Sequence, residues 1–179
     1  CRHGDVAGLR GEMQQMTDPI RLLGGNGSPY SMKMRAILRY RRLPFVWELR
    51  TLATRAETAH VKPQVIPMVQ FPDDVAWRVD STPIAQELEQ RHTERSILPE
   101  DPVHRFLANL IEDMGDEWLT KAMFHYRWRY EADIAYASDM LIYWAAPTMP
   151  TDEATSLAKQ FGDRQISRLG YVGSNEVTG

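Results

Sequence analysis

The chain has 179 residues, 43% of them hydrophobic and 25% charged, with a formal net charge of −3. Such a composition can bury a core, excludes a disordered or collagen-like chain, and leaves no basic footprint for nucleic acid or an anionic membrane. Cys1 is the only cysteine, which excludes a disulfide within the chain and any mechanism built on a central cysteine nucleophile.

No stretch approaches about 18 consecutive apolar residues, so the sequence predicts no membrane span. Residues 1–17 mix charges and glycines without the apolar segment of a signal peptide. They read as an extension with no fold of its own, ahead of a first strand at Ile20-Arg21-Leu22-Leu23. The loop Gly24-Gly25-Asn26-Gly27 follows, and then Ser28-Pro29 opens a helix. Serine is a favoured N-cap, and proline suits the first helical position because its fixed φ fits and its missing N–H would have had no partner. Tyr30, Met34, Ile37 and Leu38 recur at helical spacing as an apolar face, with Lys33, Arg35, Arg39, Arg41 and Arg42 left mostly to solvent. A glycine loop leading into a helix start can hold a phosphate, a carboxylate or a thiolate. The P-loop reading fails because Gly27 is not followed by Lys-Ser/Thr, and the dinucleotide reading fails because Tyr30 stands where a third glycine belongs.

Phe45-Val46-Trp47-Glu48-Leu49-Arg50 alternates as a second strand, reached by a parallel crossover. Residues 51–60 suggest a short helix, and residues 65–71 and 75–80 an antiparallel hairpin. Pro67 cannot donate to a ladder, so it belongs at an edge, a strand start or a cis bend. Asp80-Ser81-Thr82-Pro83 opens the next helix, with Asp80 or Ser81 as cap. Pro99 and Pro102 mark a linker. Beyond it Val103, Phe106, Leu107, Leu110, Ile111, Met114 and Trp118 predict one long amphipathic helix over 103–118. Its acids Glu112, Asp113, Asp116 and Glu117 lack a histidine at metal-binding spacing and read as a solvated face; no metal site is expected. Phe124, Tyr126, Trp128 and Tyr130 alternate with His125, Arg127 and Arg129, and two more helices are predicted over 132–146 and from Thr151 or Asp152 toward Leu169.

Taken alone, Ser28-Pro29 is simply a helix cap. Yet Ser28-Pro29-Tyr30-Ser31 resembles the Cys-Pro-Tyr-Cys turn of glutaredoxins with serine in both cysteine places. It resembles more closely the Ser-Pro-x-x-x-Lys/Arg-x-Arg helix start of serine-type, bacterial-like glutathione S-transferases. Ile66-Pro67 is similar to the Val/Ile-cis-Pro pair of thioredoxin-like proteins, and Asp80-Ser81 to the acid-serine pair that holds the γ-glutamyl end of glutathione, with Pro83 departing from the usual alanine. The three motifs stand in register over 20–91.

That resemblance implies a thioredoxin-like α/β domain over 18–94, a linker over 95–102 and an all-α domain over 103–179. It implies glutathione as co-substrate, with Ser28 catalytic and Ile66, Pro67, Asp80 and Ser81 binding. The implied activity is attack of the glutathione thiol on a small electrophile, as in cytoplasmic detoxification by a homodimer with no nucleic-acid or membrane partner. A non-catalytic binding protein and a glutathione-dependent isomerase or lyase are the alternatives on the same scaffold. Val65 stands where the family often carries lysine or glutamine, leaving Arg55, His60 and Lys62 as candidates for the glycyl carboxylate. Asp113 is a further candidate for the glutathione amino group across a dimer interface, and the 124–130 aromatics for the electrophile pocket. No buried helix with a Ser/Thr-x-x-Asp box is found, so a truncated or differently built helical domain is expected.

Overall fold

The computed structural model describes residues 18–178; the expected extension over 1–17 lies outside them. The chain divides into two compact units between Ile97 and Leu98. In the first, β1 (Ile20–Gly24), α1 (Pro29–Arg41), β2 (Phe45–Leu49), α2 (Leu52–Glu57), β3 (Met68–Gln70), β4 (Trp77–Val79) and α3 (Ser81–Arg91) follow in thioredoxin-like order. The sheet order is β2-β1-β3-β4. β1 and β2 are parallel, Ile20 opposite Phe45 and Gly24 opposite Leu49. β3 runs antiparallel to both β1 and β4.

Strand alternation divides β1 between two layers. Ile20 and Leu22 join Met34, Ile37 and Leu38 of α1 and Ile84, Ala85 and Leu88 of α3 in one core. Leu23 faces the other way, onto Val61 and Met68. Both hairpin strands are shorter than their sequence runs, β3 beginning only after the cis Ile66–Pro67 bond. The short helix is α2, closed at its start by a reciprocal capping box between Thr51 and Thr54.

The buried face of α1 is Ser31, Met34, Ile37, Leu38 and Arg41, whereas Tyr30 is only half-buried. The assignment of Arg41 to solvent is therefore corrected. Its guanidinium is paired with Glu89 of α3, a residue 48 positions on that helical periodicity cannot reveal.

Arg21 makes the second charged node. It donates to both Glu48 oxygens at 2.7 and 2.9 Å, to Glu57 of α2 at 2.7 Å and to Gln70 Oε1 at 3.1 Å, and lies 4.9 Å from the Trp77 ring centre. Two strands and α2 are thus held by one side chain on the solvent-side layer of the sheet.

In the second unit, α4 (Pro102–Asp113) passes into a π-helical turn (Met114–Leu119) and then α5 (Thr120–Trp128), α6 (Glu131–Ala145), α7 (Thr151–Ile166) and a 3-10 turn (Leu169–Val172). Asp101 caps α4, its carboxylate accepting the His104 N–H at 2.9 Å. Trp128, Ala137 and Leu169 form the core, with Phe124, Ile134, Leu141 and Phe161 against it. The long helix expected over 103–118 is interrupted at Met114, and its seven stripe residues are all exposed. The 124–130 aromatics divide as helical geometry requires, Trp128 inward and Tyr126 and Tyr130 outward and stacked on each other.

The Arg21 guanidinium, by hydrogen bonding, holds the Glu57 carboxyl below its ordinary value of 4.5. A depressed acid stabilises the fold above its unfolded pKa and loses that contribution as pH falls through the native one. Glu57→Gln should therefore lower stability at pH 7 by less than about 1 kcal/mol, because the carboxylate is substantially exposed, and make no difference at low pH. Urea unfolding of both proteins at pH 7 and at successively lower pH checks this, the difference shrinking as the carboxylate protonates; a difference that does not shrink would locate the effect elsewhere.

Candidate functional site

The C-terminal ends of β1, β2 and β4 and the N-terminal end of β3 lie at one end of the sheet, as their pairing requires. The segments beyond those ends carry Ser28, Arg50, Asp80-Ser81 and Ile66-Pro67. Ser28, Ile66-Pro67 and Asp80-Ser81 are therefore gathered at that end.

Ser28 caps α1 in extended conformation (φ −96°, ψ 117°), and its Oγ accepts the Ser31 N–H at 3.2 Å. The Ser28 N–H closes the loop onto the Gly25 carbonyl at 3.0 Å. With its oxygen accepting from the helix, the hydroxyl retains a proton that it can donate, beside the positive end of the α1 dipole. Ser31 has a different duty from Ser28. It is fully buried, and its Oγ accepts the Gly25 N–H at 3.3 Å, fastening the glycine loop to the helix.

Only glycine fits at position 24. A Cβ there would lie 2.7 Å from the Trp47 ring and 2.8 Å from Ser31 Oγ. At Gly25 a Cβ would lie 3.1 Å from Ile66 Cδ1, so the loop rests against the residue before the cis proline. Ile66 is half-buried, Pro67 buried, and their peptide bond cis. Among the described residues, the main-chain N–H and C=O of Ile66 have no partner. A free donor and acceptor on extended backbone can pair with another extended chain.

Asp80 caps α3, its Oδ1 accepting the Thr82 N–H at 3.3 Å. Its φ of 75° lies where non-glycine residues are uncommon, and such conformations persist only when their surroundings fix them. Ser81 is buried in the first turn, and Lys33 reaches from α1 to Thr82 Oγ1 at 3.4 Å, tying the two helix starts together.

Arg55, His60 and Lys62 are exposed, and the structure adds a residue that sequence reasoning missed. Arg50 follows β2, gives its N–H to Gly24, and sends its guanidinium to Met68 Sδ and the Gln64 side-chain carbonyl. Gln64 is fixed in turn by donating to the Thr58 and Val61 carbonyls at 2.7 and 2.6 Å. Burial, and then the nearby charge of Arg55, lower the Arg50 pKa. No carboxylate among the described residues pairs with it. The available signal was an arginine directly after a strand that ends beside the glycine loop. Asp113 lies exposed in the second unit. Among the described residues no group of three or more could hold a metal ion, and no helix is long and apolar enough to cross a membrane.

Residues 22–96 match the family model of the glutathione S-transferase N-terminal domain. The chain is similar in structure to a Tau class glutathione S-transferase from mango, Mangifera indica, at 18% identity and a TM-score of 0.51, over 90% of this chain and 83% of that one. A glutathione S-transferase from Methylobacillus flagellatus with glutathione bound matches at 22% identity and TM-score 0.48, over 83% and 65% of the two chains. A maleylacetoacetate isomerase from Anaeromyxobacter dehalogenans matches at 17% and 0.47, over 88% and 80%. No curated protein matches the sequence. The architecture is accordingly that of a glutathione S-transferase N-terminal domain, with its thioredoxin-like mixed sheet, followed by a helical region.

The contact at Gly24 is tested by Gly24→Ala. Forcing a methyl between a half-buried indole and a buried hydroxyl should cost about 1–3 kcal/mol, as overpacking does. Urea unfolding reads the loss, and Trp47→Leu in the same chain should recover part of it; no recovery would mean that Trp47 is not the obstructing group.

Proposed function

We propose that the protein is a glutathione transferase whose Ser28 hydroxyl activates the bound thiol. The observation that carries this reading is the Ser28 hydroxyl at the α1 N-terminus, on the same sheet end as the unpartnered main chain of Ile66 and the Asp80-Ser81 cap. In this reading the cysteinyl backbone of glutathione pairs with Ile66 beside Pro67. Its γ-glutamyl end meets Asp80 and Ser81, and Arg50 receives the glycyl carboxylate. The strand order β2-β1-β3-β4 arranges these groups in the order of the tripeptide. Three inter-strand spacings of roughly 4.8 Å span about 14 Å. An extended three-residue backbone reaches roughly 10–11 Å before its terminal groups are added, so the lengths are compatible.

The chemistry follows from the hydroxyl. Ser28 donates a hydrogen bond to the glutathione sulfur and, with the helix dipole, favours the thiolate over the thiol, each pKa unit corresponding to ~1.36 kcal/mol. The thiol proton leaves to solvent, and the sulfur lone pair forms a bond to the electrophilic carbon as the leaving group or π-bond electrons depart.

Ser28 is both cap and hydroxyl, so two substitutions separate its duties. Ser28→Ala should lose about 0.5–2 kcal/mol of stability, whereas Ser28→Gly should lose only a few tenths. Both should abolish the thiolate absorbance of bound glutathione at neutral pH and conjugation of a generic electrophile. Activity retained in Ser28→Gly would make Ser28 purely structural, and glutathione binding without turnover in the unaltered protein would make it a binding protein.

We also propose a homodimer. α4 and the π-helical turn after it present Val103, Phe106, Leu107, Leu110, Ile111, Met114 and Trp118 to solvent, more than the scattered apolar exposure ordinary for a monomer. Sedimentation should show a dimer that Leu110→Glu with Trp118→Glu converts to monomer; a compact monomer that binds no hydrophobic dye would overturn it.

A further inference from the structure

We propose that Glu89 is a latch for residues 92–97, the segment leading out of the first unit, which has a docked and a released state set at this carboxylate. α3 ends at Arg91, and the following six residues form no helix or strand. They are held by charge. Glu89 Oε2 accepts the Ser96 hydroxyl, and Oε1 accepts the Ile97 N–H at 3.2 Å. The same Oε1 takes a guanidinium N–H of Arg41, whose other terminal nitrogen donates to the His92 carbonyl.

The side chain of Arg41 has no solvent exposure, and its Nε has no partner. A buried guanidinium requires a carboxylate, because charge taken out of water without a counter-charge is strongly unfavourable. Glu89 is that carboxylate, and all its acceptor capacity named here is shared between Arg41 and the departing chain. Docking of the segment and neutralisation of Arg41 therefore depend on one group.

A second observation bears on the same segment. Arg95 has φ 52°, a left-handed backbone that a non-glycine side chain seldom adopts. Its Nε donates to the Tyr40 carbonyl, and its guanidinium lies 4.7 Å from the Tyr40 ring centre. Once the Glu89 contacts are lost, relaxation of Arg95 favours release and carries Ile97 off the α1/α3 core against which it packs.

The test replaces the buried pair with apolar side chains, Arg41→Met with Glu89→Met, in the full chain. Such a replacement leaves no buried charge unpaired. The Ile97 amide should then exchange hydrogen at least about tenfold faster, while the Leu22 amide in the centre of β1 keeps its protection. Trypsin should also cut after Arg95 in the folded protein. Ile97 exchange that is unchanged, or that rises only in step with Leu22, would overturn the latch. Should this double variant not fold, Ser96→Ala decides: faster exchange at Ile97 alone supports the latch, and an unchanged rate there overturns it.

Discussion

At Gly24 the end of β1, the Trp47 ring and the Ser31 hydroxyl approach to a separation that excludes even a methyl group. Glycine is required there, since a side chain would force either α1 away from the sheet or Trp47 out of its place. The turn carries Gly25 to Ser31 and to Ile66, and it delivers Ser28 to the head of α1. The site therefore rests on a packing restriction at the central strand, one layer below any group that would touch a ligand. Trp47 is itself covered by Arg35, whose guanidinium lies 5.3 Å from the ring centre.

Arginine serves the first unit as an internal structural residue. Arg21 gathers two acids across the sheet, Arg41 is buried against α3, and Arg78 and Arg91 share Glu87 while lying over the Phe71 ring. Planar guanidinium groups suit this because they bond in a fork and stack on aromatic faces. Arg50 is the exception among these, with a sulfur and an amide oxygen in place of a carboxylate.

What could be read in the sequence was whatever local chemistry determines. The cap at Ser28-Pro29, the alternation of β2 and the proline before β3 each impose a backbone state within a few residues, and the motifs in register identified the fold. Arg41, Arg50 and Ser31 were misplaced or missed because their surroundings come from distant segments: Glu89, the 64–68 stretch and the glycine loop. The α4 stripe shows the same limit in reverse. Its periodicity was plain, but period alone predicts an apolar face and not what covers it, and in this chain the face is exposed.

The burial of Ser31 also restricts what the scaffold could become. In a dithiol turn the position three residues after the first thiol carries the second, so redox chemistry at this turn requires cysteine in place of both serines. Sulfur is larger than oxygen and a weak acceptor. A cysteine at 31 would crowd the space beside Gly24 and surrender the bond that holds the Gly25 amide. The two serines are thus unequal in evolutionary terms: the first stands half-buried at the head of α1, whereas the second is fully buried and tied to the loop geometry through the Gly25 amide.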